Sequence, residues 1–425
     1  MSKKNLIILI TFLLILFGAV LAYLFLSIKP SFIVDPNIPG RDSGNPFPFG
    51  TGTSGGKGNG TTTPGTSTGN RPGSSRQVRP ALRHLSLVPV AGAGIYETAS
   101  STQVRYIERG TGYIYQSKVE ETVEPVKLSN TPIIKIYEAF WTDKNNAVII
   151  QKLKDDAQTI DSFLITMSSA SLLQTSSTSI ASSLSSKITP DFLGSNMQSV
   201  VLSPKKDRVA YLIPNNDGGV VSIVSKTDGS KKVQIFDSPL KSWLLSWPNE
   251  NTLTFTTKAL STSPGLLYFA SSLSGKTDKI LGGINGLTTL TSSDANTVLF
   301  SKSIDGGLAS FAYDIKNGNR LAEIGLTTLP EKCVWSKKEK TALYCGVPTA
   351  IPTDKYPEAW YQGKVSFSDE IWKIDTLTGI LENIADLKNL SGQDIDVTHL
   401  TLSEREDLLV FINKADLTLW SFDLR

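Results

Sequence analysis

The stretch Trp141-Thr142-Asp143-Lys144-Asn145-Asn146-Ala147-Val148-Ile149 decides the fold, because its layout recurs along the chain. One apolar run ends, a short polar turn follows, and a second apolar run begins. Short apolar or alternating runs separated by such turns are typical of paired β-strands. Equivalent segments begin at Leu202, Trp247, Ser292, Trp335 and Leu402, and a weaker copy begins at Thr98.

A second turn follows each of these segments, as in Ser225–Gly229 and Asp375–Gly379. Two hairpin turns in each repeat indicate four strands in each repeat. Successive segments lie 43, 61, 45, 45, 43 and 67 residues apart, so two repeats carry insertions, around Ser168–Ser186 and Gly346–Ser368. A four-stranded unit of about 40–45 residues is typical of a β-propeller blade. The pattern therefore predicts an all-β propeller of seven blades, or of six if the Thr98 copy is not a separate unit.

The end of the chain predicts how the ring closes. Leu417–Leu424 corresponds to the third strand of the last blade, so that blade lacks an outer strand. We expect Arg83–Val88, at the start of the domain, to supply it and to remove an exposed sheet edge. The predicted propeller domain covers residues 82–425.

The N-terminus predicts a membrane anchor. Leu6–Ile28 contains no charged residue and is long enough to cross a bilayer as one helix. Lys3 and Lys4 place residues 1–5 in the cytoplasm and the C-terminal domain outside it. The alternative is a cleaved signal peptide with a site at Val20-Leu21-Ala22, although the apolar run continues beyond that site.

Residues 29–81 form the predicted linker between this helix and the propeller. From Asp35 to Pro80 the chain is mostly Gly, Pro, Ser and Thr, with hardly any large apolar residue. Such a composition buries too little surface to offset the entropy of ordering, so we expect a disordered tether.

The composition excludes several classes of site. The net charge is only +3, which argues against nucleic-acid binding. The sequence has two histidines, His84 and His399, so it cannot build a histidine-rich metal site. We therefore expect no catalytic constellation, no metal and no cofactor.

The two cysteines, Cys333 and Cys345, lie at equal distances from the centre of a predicted hairpin turn. Residues placed in this way face each other across two paired strands, at a separation that a disulfide can span. We expect the bond to form outside the cytoplasm. The alternative is a pair of buried free thiols.

Aromatic residues are concentrated in the second insertion, at Tyr356, Trp360 and Tyr361. Two interpretations are open. The aromatic side chains anchor the insertion onto its own blade, or they form an exposed contact for a protein partner or a glycan.

The repeats resemble the TolB-type and WD40-like bacterial propellers, whose turns carry a W-S-x-D-G-x-x-φ-A-F pattern. Leu202–Tyr211 and Trp335–Tyr344 approach this pattern, with the turn glycine replaced and no Trp-Asp dipeptide. Val104–Tyr115 and Trp360–Asp375 look like segments of uncharacterised bacterial envelope proteins that have the same anchor, linker and propeller. The resemblance implies a propeller platform and no particular activity.

These observations predict a non-catalytic protein-binding platform in the cell envelope, held to the bilayer by Leu6–Ile28. One alternative is a glycan-binding or glycan-hydrolysing enzyme that uses carboxylates in the central channel, because such pairs leave no sequence signature. The other is a structural subunit of an envelope assembly.

Overall fold

The computed structural model describes residues 80–98, 101–121, 123–142, 146–168, 187–316 and 320–425. These residues form seven antiparallel sheets of four strands each. Seven blades are therefore present, and the weak copy at Thr98 belongs to a separate blade. Within the described ranges no helix is long and apolar enough to span a membrane. The predicted membrane helix at Leu6–Ile28 and nearly all of the predicted linker lie outside them.

In blades 1 to 6 the first strand along the chain is the innermost, and the fourth strand is the outermost. Blades 1 and 2 contain β2 (Val90–Glu97), β3 (Thr102–Glu108), β4 (Ile114–Lys118), β5 (Val126–Lys127), β6 (Ile136–Trp141), β7 (Ala147–Leu153), β8 (Ile160–Ser168) and β9 (Lys187–Ser195). Blades 3 and 4 contain β10 (Gln198–Leu202), β11 (Arg208–Pro214), β12 (Val220–Lys226), β13 (Val233–Ser238), β14 (Trp243–Asn249), β15 (Thr252–Thr257), β16 (Pro264–Ser271) and β17 (Thr277–Asn285).

Blades 5 and 6 include the short helical elements near the second insertion. They contain β18 (Thr288–Thr291), β19 (Thr297–Ile304), β20 (Gly307–Asp314), β21 (Arg320–Glu323), the 3₁₀ helix η1 (Pro330–Lys332), β22 (Cys333–Trp335), β23 (Ala342–Pro348), α1 (Glu358–Tyr361), β24 (Asp369–Asp375) and β25 (Leu381–Asp386). Helix α2 (Leu387–Ser391) leads into blade 7, which contains β26 (Val397–Leu402), β27 (Leu408–Asn413) and β28 (Leu419–Asp423).

Blade 7 takes its outer strand from the start of the domain, as predicted. Strand β1 (Leu82–Ser86) pairs antiparallel with β28, and His84 lies opposite Trp420. The two rings stack with centroids 4.0 Å apart and an interplanar angle of 11°. The last blade therefore has no unpaired outer edge at β28.

The repeated turn has a hydrogen-bonding reason. The Ser203 hydroxyl donates to Asp207 Oδ1 at 2.9 Å and accepts the N–H of Arg208 at 3.1 Å. Ser403 bonds Asp407 at 3.0 Å and the N–H of Leu408 at 3.1 Å in the same way. The serine thus closes the turn and starts the second strand, which explains why it recurs.

The core lies between neighbouring blades. Trp141 is 3% exposed, and its Nε1 donates to the carbonyl of Gly92 in blade 1 at 3.5 Å. Trp335 makes the equivalent bond to Leu290 in blade 5 at 3.2 Å. A Cβ atom on Gly94 would lie 2.6 Å from Trp141 Cβ, so only glycine lets the indole pack there. The recurring tryptophans are therefore interblade packing residues.

The two ends of the ring differ in their connections. The repeated turns join first to second strands, and the second turns join third to fourth strands, so both lie at one end, here called the turn face. The connections between second and third strands and those between blades lie at the other end, here called the crossover face.

Candidate functional site

The second insertion forms a strap, residues 349–368, that leaves β23 on the crossover face and contacts two preceding blades. The N–H of Asp354 donates to the carbonyl of Gly306 in blade 5 at 3.2 Å. Glu358 Oε1 accepts the N–H of Ser261 in blade 4 at 2.6 Å and its hydroxyl at 2.8 Å. The strap therefore ties blade 6 to blades 4 and 5.

The aromatic residues predicted as interaction candidates hold the strap in place. Tyr356 is 1% exposed and Trp360 is 3% exposed, in a cluster with Leu308 and Leu329. Tyr361 is half-buried, and its hydroxyl donates to Glu331. The exposed-contact interpretation is corrected for Tyr356 and Trp360, because their surfaces are already covered by the chain itself. The anchoring alternative describes them.

Beneath the strap lies a buried ionic group, here called the Lys332 cluster (Lys332, Asp369, Asp396 and Trp360). Lys332 Nζ lies 2.6 Å from Asp369 Oδ2, and it also pairs with Asp396 Oδ1. All three charged side chains are 0% exposed. Trp360 Nε1 donates to Asp396 Oδ2 at 2.9 Å. The cluster joins η1, the start of β24, the approach to β26 and the strap, so it links blades 6 and 7.

The electrostatics of the cluster follow from its burial. Removal from water raises the pKa of Asp369 to about 6, although the charge of Lys332 and its hydrogen bond oppose the shift. Asp369 Oδ2 accepts the N–H of Val397 at 2.6 Å, whereas its Oδ1 has no hydrogen-bond partner among the described residues. Two carboxylates thus share one ammonium group in a place closed to solvent. This arrangement is suited to fixing blades and not to meeting a substrate.

Sequence reasoning missed this cluster. Lys332 directly precedes the innermost strand of blade 6, and Asp396 directly precedes that of blade 7. Asp369 begins a third strand. The available signal was a charged residue at the start of an otherwise buried strand. The spacing along the sequence did not show that Lys332, Asp369 and Asp396 would be in contact.

The predicted disulfide between Cys333 and Cys345 is present. The two residues are paired in register on β22 and β23, with their Cα atoms 4.0 Å apart and an S–S distance of 2.06 Å. Cys333 follows Lys332 directly, so the bond fixes the innermost strand beside the ionic cluster. In the described part of the chain no cysteine is free.

The turn face carries a cavity of about 630 Å³ between blades 2, 3 and 4, here called the rim cavity. Its walls combine hydroxyl, apolar, basic and acidic groups. They include Arg208, Lys226, Lys231, Asp207, Asp228, Val233 and Leu273. Val233 is 50% exposed and Leu273 is 73% exposed. This volume falls in the usual range for ligand pockets, roughly 300–1,000 Å³.

The remaining ionisable groups do not assemble into a metal site. Within the described ranges, no group of three or more His, Cys, Asp or Glu side chains is placed to hold a metal ion. Burial raises the pKa of Glu331, whose Oε1 accepts the Tyr361 hydroxyl, and the pKa of Glu138 on β6. Burial lowers the pKa of His399 on β26.

No protein-family model matches the chain, and no curated protein matches it in sequence. Among solved structures, it is similar to an oligogalacturonate lyase from Vibrio parahaemolyticus, with a TM-score of 0.51 and 10% identity over 80% of this chain and 93% of the lyase. It is also similar to TolB from Acinetobacter baumannii, with a TM-score of 0.38 and 10% identity over 78% of each chain.

A third similar structure is a puromycin-hydrolysing peptidase from Mycobacterium tuberculosis, with a TM-score of 0.42 and 12% identity over 76% of this chain. The present chain covers 51% of that peptidase, about half its length. At such identities a likeness shows the fold alone. The described residues form a seven-bladed β-propeller, which is the fold that the resemblance to TolB-type and WD40-like propellers implied.

Proposed function

We propose that this protein is a membrane-tethered, extracytoplasmic propeller that serves as a non-catalytic protein-binding platform in the cell envelope. The rim cavity is the observation that carries the proposal, because it offers an open, partly apolar and partly basic surface on a rigid ring. The Lys332 cluster adds support. Its charges are closed off and used to hold blades together, which suits a scaffold with a fixed surface.

The location is part of the same proposal. Leu6–Ile28 would anchor the chain with residues 1–5 in the cytoplasm, and residues 29–81 would hold the propeller away from the bilayer. The Cys333–Cys345 disulfide supports a compartment in which such bonds persist, since cytosolic proteins are normally kept reduced. We therefore propose a single-pass topology with the propeller outside the cytoplasm.

The test is crosslinking of the full-length protein in intact cells, followed by affinity capture and mass spectrometry. We expect a small, reproducible set of envelope proteins with crosslinks that map to the propeller. Protease added to cells, with and without permeabilisation, reports which side of the membrane holds the propeller. Recovery of no specific protein contradicts the platform, and a propeller that is cleaved only after permeabilisation contradicts the topology.

A second candidate is a glycan-binding or glycan-hydrolysing enzyme that uses carboxylates in the central channel. The observation in its favour concerns Tyr361. Burial raises its pKa, and the charges of Glu331 and Glu358 raise it further, so the three side chains are close. In the part of the chain that the structure describes, one oxygen of each carboxylate has no hydrogen-bond partner. Both of those oxygens are buried, so a substrate would reach them only after the strap moved.

Hydrolysis of envelope glycans by the purified full chain, abolished by Glu331→Gln and by Glu358→Gln, would establish the enzyme and overturn the platform. A structural subunit is the remaining alternative. A structural subunit would be recovered at a constant stoichiometry with the same neighbouring proteins. A docking platform exchanges its partner, so its occupancy would vary.

A further inference from the structure

The rim cavity carries an inference about the chemistry of the partner, which rests on the proposed platform function. Blade 3 is the blade whose turn-face connections are most basic. Its two connections, residues 203–207 and 227–232, together with the adjoining strand ends Arg208 and Lys226, hold six basic residues and two acidic ones. The basic residues are Lys205, Lys206, Arg208, Lys226, Lys231 and Lys232.

The lysines that line the cavity are free to receive a partner's charge. Lys226 and Lys231 are exposed, and within the described part of the chain neither forms an ion pair. Arg208 is already occupied, since its Nη2 lies 2.9 Å from Glu250 Oε2 and its guanidinium lies over the Trp247 ring. The two lysines are therefore the available cations.

The two carboxylates of the cavity wall are held by their own turns. Asp207 accepts the Ser203 hydroxyl at 2.9 Å, and Asp228 accepts the N–H of Ser230 at 2.8 Å. They are fixed in the turns, whereas the lysine side chains extend from exposed positions. An approaching anion can therefore pair with the lysines without displacing an existing partner.

The apolar part of the wall selects between kinds of anion. Leu273 and Val233 are large, exposed apolar side chains that line the same cavity as the two lysines. A polysaccharide acid would cover them poorly, whereas a peptide that alternates acidic and apolar side chains would pair with Lys226 and Lys231 and bury Leu273. We propose that the rim cavity binds an acidic, partly apolar peptide segment of an envelope protein.

The test uses the detergent-solubilised full chain and a short fluorescein-labelled peptide of alternating glutamate and leucine. We expect saturable binding that weakens as salt is raised, because exposed charge pairs are screened. The double variant Lys226→Glu/Lys231→Glu should weaken binding about tenfold or more. Leu273→Asp should weaken binding at high salt as well, since it removes an apolar contact.

The matched control is Lys241→Glu/Lys258→Glu, which reverses the same number of exposed lysines on the crossover face. It should leave binding unchanged. A peptide of glutamine and leucine should bind more weakly than the acidic peptide, and polygalacturonate should not compete. Equal loss in both double variants, or preferential binding of polygalacturonate, overturns the proposal.

Two other occupants are separable outcomes. Concentration-dependent self-association that the acidic peptide does not affect, but that Lys226→Glu/Lys231→Glu abolishes, would assign the cavity to a second copy and overturn the proposal. Peptide binding that appears only after residues 169–186 are deleted would assign the cavity to this chain's own segment and overturn the proposal. If the peptide fails while cell crosslinking maps a partner elsewhere on the propeller, the cavity proposal fails and the platform stands.

Discussion

Replacing Lys332 by methionine removes the one cation of the buried cluster while keeping the length of the side chain. Lys332, Asp369 and Asp396 are all 0% exposed, so the two carboxylates would lose the ammonium group that pairs with both of them in a dry site. Removing one partner of a buried ion pair typically costs about 3–5 kcal/mol. Asp396 keeps bonds from Trp360, Ser366 and Phe367, whereas Asp369 keeps only Val397, so Asp369 should carry most of the cost.

The assay is urea unfolding of the full chain, followed by tryptophan fluorescence at several pH values. The loss should be largest above pH 6, where Asp369 is ionised in the parent protein, and should shrink as the pH falls and Asp369 gains a proton. Lys337→Met is the control, because Lys337 and Glu404 are 55% and 69% exposed and such pairs contribute less than about 1 kcal/mol. A loss in Lys332→Met as small as in the control, or one that is independent of pH, would refute the reasoning.

Three further predictions concern the same half of the ring, and a fourth concerns its closure. Burial raises the pKa of Asp369 from 3.8 to about 6 in the folded protein, so the folded state binds a proton there more tightly than the unfolded state does. The stability that this proton contributes is complete below pH 3.8 and is lost as the pH rises through 6. When the pH falls from 7 to 5, the free energy of unfolding of the parent should therefore rise by about 1 kcal/mol relative to that of Asp369→Asn. A difference between the two proteins that does not change with pH would contradict the raised pKa. Cys333→Ala/Cys345→Ala should lower the free energy of unfolding by about 2–4 kcal/mol. A reductant should lower the stability of the parent protein but not that of the variant. Trp360→Phe should cost about 1.5–3 kcal/mol, because the indole bonds a buried carboxylate, and should open the strap to proteolysis; an unchanged cleavage pattern would argue against its anchoring role. His84→Pro should break the pairing of β1 with β28 and cause aggregation detectable by light scattering, whereas a monodisperse variant would show that closure does not depend on this strand.

The fold was predictable because its signals are local. The serine turn at Ser203 and its copies form hydrogen bonds within a few residues, so each copy is visible in the sequence. The recurring tryptophans and the equal spacing of Cys333 and Cys345 about a turn are also properties of single repeats. Closure by β1 could be predicted because the last repeat contains three strands where the other repeats contain four.

The site was less predictable because it depends on contacts between repeats. Lys332 and Asp396 are 64 residues apart, and only the ring brings them together. The concentration of aromatic residues in the strap was visible in the sequence, but whether they faced solvent depended on the surfaces of neighbouring blades. The rim cavity likewise draws its walls from three blades, so no single repeat shows it.

Photo-crosslinking in living cells from one chosen position tests the central claim most directly. A photoreactive amino acid at Leu273, 73% exposed on the turn face, is compared with one at Leu390, 52% exposed on the crossover face. The account predicts crosslinks from position 273 to one defined envelope protein, none to it from position 390, and their loss in Lys226→Glu/Lys231→Glu. Equal crosslinks from both positions, crosslinks from 390 alone, or none from either would contradict a platform that docks its partner at the rim cavity.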